Sequence, residues 1–269
     1  YKRQEDMFQQ LGVQSNEAGI CSRTLVQTSL RGVDSHGILS VPIYAERICS
    51  GHMKPGGTVR VLRESDTTLF CDGEHGLGPV LAMEIAERIV DKAEDGGLAA
   101  ASLVNGNYVG ALAPYVERIA DRGMLGICAA NSTPRVAPHG GKQGVHGTNP
   151  LAYAVPSLGI EPLVFDAATG HSAARVGAAR EQGVPLEDGV LIDGDGLPSN
   201  DPEALDGGAL LPVGGALGYG LGLLVDLLCG GLGNGPCGID VPPVSDVDSP
   251  YGCSFFILAV NGDFFGGQE

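Results

Sequence analysis

Apolar positions recur on a helical period early in the chain. In SNEAGICSRTLVQTSLRG, residues 15–32, Ala18, Cys21, Leu25 and Val26 give one buried face. Ser15 or Asn16 can cap its start, Glu17 sits in the first turn and Gly32 can end it. The spacing therefore predicts a helical opening up to about Arg31. VPIYAERICSG (41–51) predicts another helix, with Pro42 near its start and Gly51 past its end. From Thr58 the period shortens. TVRVLRESDTTLFCDG (58–73) reads as two short strands joined by a polar turn. GPVLAMEIAERIVDKAEDGG (78–97) is a helix, with apolar residues at 80, 81, 85, 89 and 90 and a Gly96-Gly97 stop. LAAASLVNG (98–106) is a strand, ALAPYVERIADRG (111–123) a helix and MLGICAANS (124–132) a buried strand. LAYAVPS (151–157) and PLVFDAAT (162–169) add two more strands. The alternation over 79–132 predicts mixed α/β packing. Residues 183–208, turn-rich and acidic, are expected to form an exposed excursion. GYGLGLLVDLLCGGLG (218–233) predicts an apolar helix and CSFFILAV (253–260) a strand.

Length and composition bound the function. The chain has 269 residues, enough for one large domain or two smaller ones, and is 43% hydrophobic, which predicts a folded core. The net charge of −16 repels a phosphate backbone and argues against nucleic acid as a partner. The opening YKRQEDMFQQLG lacks the apolar core of a signal peptide, no run is long and apolar enough for a membrane span, and a cytoplasmic protein is expected. The seven cysteines are scattered without a C-x-x-C pair, which predicts free thiols and no zinc site.

Two short motifs invite a chemical reading. GNGPCG (233–238) matches G-x-G-x-x-G, but it follows a predicted helix, contains Pro236 and leads into IDVPPVSD, so it is not a dinucleotide-binding turn. Neither a Walker A sequence nor H-E-x-x-H occurs. Asp34-Ser35-His36-Gly37 is different. His titrates near neutral pH, and an adjacent hydroxyl and carboxylate can orient it for proton transfer. By themselves these residues suit a structural turn as well as a catalytic one.

A longer series of motifs decides more. LRGVDSHGILSVPIYAERICSGHMKP resembles the signature region of the malate/L-lactate dehydrogenase type 2 family. The likeness continues through DGEHGLGPVLAMEIA, VNGNYVGA, NSTPRVAPHGGKQGVHGTNPLAYAVP, FDAATG, LPVGGALGYGLGLLVDLL and SPYGCSFFILAVN, in the family's order over nearly the whole chain. The resemblance implies a mixed α/β fold that is not a Rossmann fold, with an N-terminal helical segment (1–57) carrying DSHG and a cofactor- and substrate-binding domain (58–269). The C-terminal part of the family fold is expected to be absent. It implies an oxidoreductase using NAD or NADP on a small 2-hydroxy or 2-oxo acid or a cyclic imino acid, working as a homodimer.

The family's roles carry over by position. The resemblance assigns His36 as proton donor and Ser35 as the hydroxyl that orients it. It assigns Thr148 to the substrate, and Ser132, Asp166, Ala167 and Ala168 to the cofactor. Three positions depart from the family pattern. Ser40 stands where a carboxylate-clamping Arg is usual, and a hydroxyl cannot replace a bidentate guanidinium. Tyr108 stands where some members carry a basic His, and is expected to act as a hydrogen-bond donor. Leu217 replaces a Lys near the cofactor. Arg175 matches a charged position that follows the family's D-x-A-T-S segment, and is taken with Ser40 as a substrate contact. Arg135, Arg47 and Lys142 are further candidate anion binders. The alternative is a redox-inactive homologue that binds or scaffolds, or uses the His for non-redox acid–base chemistry.

Overall fold

The structure, a computed structural model, describes residues 1–267. The chain opens with three helices, α1 (Lys2–Gln10), α2 (Ser15–Leu30) and α3 (Val41–Cys49). The opening read as one helical stretch is thus split by a turn around Gly12. These helices pack around Phe8, Leu25, Tyr44, Met53 and Leu77, with Phe8 and Tyr44 edge to face at 6.0 Å.

The α/β part begins with β1 (Arg60–Glu64), β2 (Thr68–Asp72), α4 (Gly78–Gly96) and β3 (Leu98–Val104). It continues with α5 (Ala113–Ala120), β4 (Met124–Ala130), β5 (Leu151–Val155) and β6 (Leu163–Ala167). Next come α6 (Ala173–Gln182) and the short strands β7 (Leu191–Ile192), β8 (Pro198–Ser199) and β9 (Ala209–Leu210). The last elements are α7 (Ala216–Asp226) and β10 (Phe255–Asn261).

Seven strands form one sheet in the order β1-β2-β3-β10-β4-β5-β6. β2 and β3 run parallel, joined through α4; the other neighbours are antiparallel. β10 enters the middle, with Ile257 opposite both Ala101 and Cys128. Along each central strand alternate residues face α4 and α5. Ile85 and Ile89 of α4 and Val116 and Ile119 of α5 join Leu103 and Ile257 in one buried cluster. The mostly antiparallel sheet is not a Rossmann sheet. GNGPCG follows α7 and leads into a single turn at Gly238–Asp240, without a strand-turn-helix around it.

Residues 183–208 are not simply an exposed excursion. They carry β7 and β8 of a second sheet, ordered β8-β7-β9, and bury Leu186, Val190 and Leu191 with Val136 and with Val176 of α6. The apolar residues are few and flanked by Gly, Asp and Pro, so the stretch reads as loop until α6 supplies the surface that covers them. α6 itself escaped the sequence pattern because it buries only Val176 and Ala179. Among the described residues, every cysteine is unpaired and no group of three metal-type ligands occurs. No helix there is long and apolar enough to cross a membrane.

Candidate active site

His36 closes a single turn, Asp34–His36, between α2 and α3. Gly37 lets that turn rest against α2: a Cβ there would lie 2.2 Å from Ser29 Oγ, which accepts the Ile38 N–H at 3.0 Å. Ser35 Oγ is 3.0 Å from His36 Nδ1, which leaves Nε2 for another partner. Burial lowers the imidazole pKa, and the Asp166 carboxylate opposes that shift. His36 is therefore neutral at pH 7 in the free protein.

Tyr108 lies beside it, with ring centroids 6.3 Å apart. Its backbone is fixed by the start of α4, where a Cβ on Gly78 would sit 2.1 Å from the Tyr108 carbonyl oxygen. Its N–H donates to Asn107 Oδ1 at 3.1 Å. Burial pushes the phenol well above its usual range, so Tyr108 stays protonated and donates hydrogen bonds.

Asp166 sits in β6, where Oδ2 accepts the Leu112 and Ala113 N–H groups at 2.7 and 2.8 Å. It thereby caps the start of α5. Burial raises its carboxyl pKa, and the two N–H groups, His36 and Arg31 hold it down. Ser132, just past β4, and Thr148, just before β5, bring their hydroxyl oxygens to 3.5 Å. Buried Asn149 secures this pair: Oδ1 accepts the Ser132 N–H at 3.1 Å and Nδ2 donates to Gly222 O at 2.9 Å.

One cavity of about 670 Å³ gathers most of the predicted residues. His36, Ser35 and Tyr108 line it, as do Ser132 and Thr148, Asp166 and Ala167 at the end of β6, and Ala168 just past it. Two predicted site residues stay outside the lining. Ser40 is buried, and its hydroxyl donates to Gly37 O at 2.7 Å. Arg175 is exposed, and its Nη2 pairs with Glu187 Oε1 at 2.7 Å. Leu217 also lies away from the cavity, 71% exposed on α7.

Of the candidate anion binders, only Arg135 lines the cavity. Lys142 is exposed beside Gly196. Arg47 is wholly buried. It donates to Asn107 Oδ1 at 3.2 Å and to the carbonyls of Val244, Asp246 and Ser249 at 3.0, 2.8 and 3.0 Å. Its guanidinium also lies over the Tyr251 ring at 5.5 Å. Arg47 thus fastens the 244–251 loop, which contributes Val244 and Tyr251 to the cavity wall. Sequence reasoning missed those two and Arg31, which lines the cavity and pairs with Glu117. Only the proximity of Arg31 to DSHG in LRGVDSHG hinted at it.

The site is a half-buried imidazole in a hydroxyl- and alanine-lined cavity beside a mixed sheet, an arrangement suited to small-molecule chemistry. The malate/L-lactate dehydrogenase family model matches residues 2–269, and the chain belongs to that family. It is an oxidoreductase by that membership. The malate dehydrogenase of Pyrococcus horikoshii is 36% identical over 257 residues, covering 92% of this chain and 71% of that protein. The ureidoglycolate dehydrogenase (NAD(+)) of Escherichia coli is 32% identical, covering 98% of this chain and 76% of its own. The solved sulfolactate dehydrogenase of Methanocaldococcus jannaschii superposes with a TM-score of 0.93 at 30% identity, over 100% of this chain and 78% of the other. The chain thus spans about three quarters of these relatives' lengths.

Proposed function

We propose that this chain uses NAD or NADP to transfer a hydride to or from a small 2-hydroxy or 2-oxo acid, or a cyclic imino acid, with His36 exchanging the accompanying proton. The observation that carries this reading is the convergence of His36, Tyr108, Thr148, Ser132 and Asp166 on one cavity. Its lining suits a dinucleotide. Ala167, Ala168, Ala173 and Ala174 leave room for a flat ring, and Ser132, Thr133 and Arg135 offer donors for sugar and phosphate oxygens. When bound, the nicotinamide supplies or accepts the hydride.

The chain's own residues do the rest. In reduction, His36 gives a proton from Nε2 to the developing oxyanion or amine; in oxidation, the neutral ring takes it back. Ser35 at Nδ1 sets the ring orientation. Asp166 places negative charge near the imidazolium form. Tyr108 donates a hydrogen bond to the same reacting atom, and Thr148 holds the substrate. Ser132 and Asp166–Ala168 border the cofactor. Ser40 is committed to Gly37 O and does not clamp the substrate carboxylate, and Arg31 lines the cavity while paired with Glu117.

A homodimer is part of this reading, supported by Leu217, Leu221 and Leu224, which leave an exposed stripe at helical spacing on α7. Unpaired cysteines support a reducing, cytoplasmic setting. The deciding experiment screens malate, lactate, sulfolactate, ureidoglycolate and cyclic imino acids with both cofactors, alongside fluorescence titration with NADH and NADPH. Turnover with at least one pair is expected. Absence of both binding and turnover at millimolar cofactor would sink the proposal.

A further inference from the structure

One face of the large sheet lies under α4 and α5, and the other is covered only in part. Alternation along the strands turns Phe70 of β2, Ser102 of β3 and Phe256 of β10 away from the buried Leu69, Leu103 and Ile257. Register sets these three in a row that begins at Arg63 of β1. Arg63 lies opposite Phe70, Phe70 opposite Ser102, and Ser102 opposite Phe256. α7 and the wide turn that continues it, Leu227–Gly231, cover the Phe256 end through Val225 and Cys229. The GNGPCG stretch then presses onto β3. A Cβ on Gly233 would sit 2.6 Å from Val104 Cγ1, 3.0 Å from Ser102 Oγ and 3.2 Å from Phe70 Cε2.

Beside this stretch a cavity of about 320 Å³ remains. Phe70, Phe256, Leu232 and Ala100 give it apolar walls, and Ser102 and Arg63 are polar groups in its lining. It shares no lining residue with the His36 cavity. Both polar groups lack partners among the described residues. Ser102 Oγ is buried without a hydrogen bond, and such a group in a folded protein calls for an explanation. The Arg63 guanidinium has no hydrogen-bond or ion-pair partner. Its neighbours are engaged: Arg60 pairs with Asp72 and Glu74, and Lys92 with Glu64. An unpaired guanidinium stands out in a chain with 32 acidic residues against 16 basic ones.

We infer that this cavity is a second small-molecule site, remote from His36, and that it takes a small carboxylate with an apolar, ring-sized body. The planar fork of Arg63 matches the two carboxylate oxygens. Phe70 and Phe256 offer ring faces and edges to the body, and the Ser102 hydroxyl gives the ligand a second polar contact. The volume lies near the lower end of ligand cavities, about 300–1,000 Å³, which limits the ligand to a small one. Nothing in this site depends on the reaction at His36.

The test is calorimetric titration of wild type, Arg63→Gln and Ala100→Leu with phenylacetate, and with acetate and 2-phenylethanol as probes that lack the ring or the charge. Wild type is expected to bind phenylacetate saturably and both other probes more weakly. Arg63→Gln should weaken phenylacetate about three- to tenfold and leave 2-phenylethanol unchanged. Ala100→Leu, which fills the cavity floor, should abolish binding of both. Arg63 is exposed, so its variant folds and decides the matter even where Ala100→Leu does not. No saturable phenylacetate binding at tens of millimolar overturns the inference. Equal affinity in wild type and Arg63→Gln also overturns it, because the carboxylate would then be read elsewhere. Binding that fades as protein concentration rises, with a dimer that Ala100→Leu dissociates, gives this face to a second copy of the chain and overturns it too.

Discussion

The cavity has two differently built walls. The His36–Tyr108 wall hangs on the N-terminal helices, which are held by apolar packing around Phe8, Leu25 and Tyr44. Among the described residues its imidazole has one side-chain hydrogen-bond partner, Ser35 Oγ, at 3.0 Å. The Ser132–Thr148 wall stands on loops leaving β4 and entering β5, and buried amides tie it down. Asn131 Oδ1 accepts the Ser254 N–H at 2.9 Å and Nδ2 donates to Pro236 O at 2.8 Å, while Asn149 bridges Ser132 to Gly222. The wall that carries the imidazole is lightly tethered. The wall that carries the two hydroxyls is fixed by several directional bonds, and a buried polar network is costly to leave half made.

Substitutions can break this contrast. His36→Ala has the largest expected effect, a loss of about 10²- to 10⁴-fold in kcat, with NADH affinity in titration unchanged. Arg47→Met comes next. It abandons four acceptors, the buried Asn107 Oδ1 and the part-buried Val244, Asp246 and Ser249 carbonyls. A loss of about 3 kcal/mol in urea denaturation is expected, with a raised substrate KM because Val244 and Tyr251 shift. Asn149→Ala strips a partner from the Ser132 N–H and from Gly222 O. It should cost about 1–3 kcal/mol and weaken cofactor binding while sparing the pH profile.

Two further measurements sharpen the contrast. The His36 pKa lies below its usual value of about 6.5, because burial disfavours the charged ring. Only the neutral ring accepts a proton, so oxidative kcat/KM should fall as pH drops through that pKa. Reductive turnover needs the protonated ring and should fall as pH rises through it. Both limbs should vanish in His36→Asn. Ser35→Ala is the smallest effect, about three- to tenfold in kcat, and it should move the pH profile; Asn149→Ala should not.

Much of this was legible in the residues. Helical spacing located α2 and α4, and two-residue alternation located β1 and β2, because a helix or strand with one buried face shows its period directly. The ordered motifs located His36, Ser35, Ser132, Thr148 and Asp166. Asp166 shows the limit: the resemblance placed it with the cofactor, whereas the tertiary structure also spends its carboxylate on the start of α5 and brings its charge to His36. Ser40 and Arg175 show it again: the Ser40 hydroxyl closes on Gly37 O within its own turn, and the Arg175 side chain turns to Glu187.

The sequence by itself determined most of the central helices and strands, the family, and His36 as the candidate for proton exchange. Only the tertiary structure decided that β10, from the far end of the chain, fills the centre of the sheet, that residues 183–208 bury a small sheet against α6, and that Arg31, Val244 and Tyr251 share a wall with His36. The physical reason is range. Periodicity and capping act over a turn or a strand, whereas strand order and cavity walls depend on contacts between residues far apart in the chain, whose pairing no local pattern encodes.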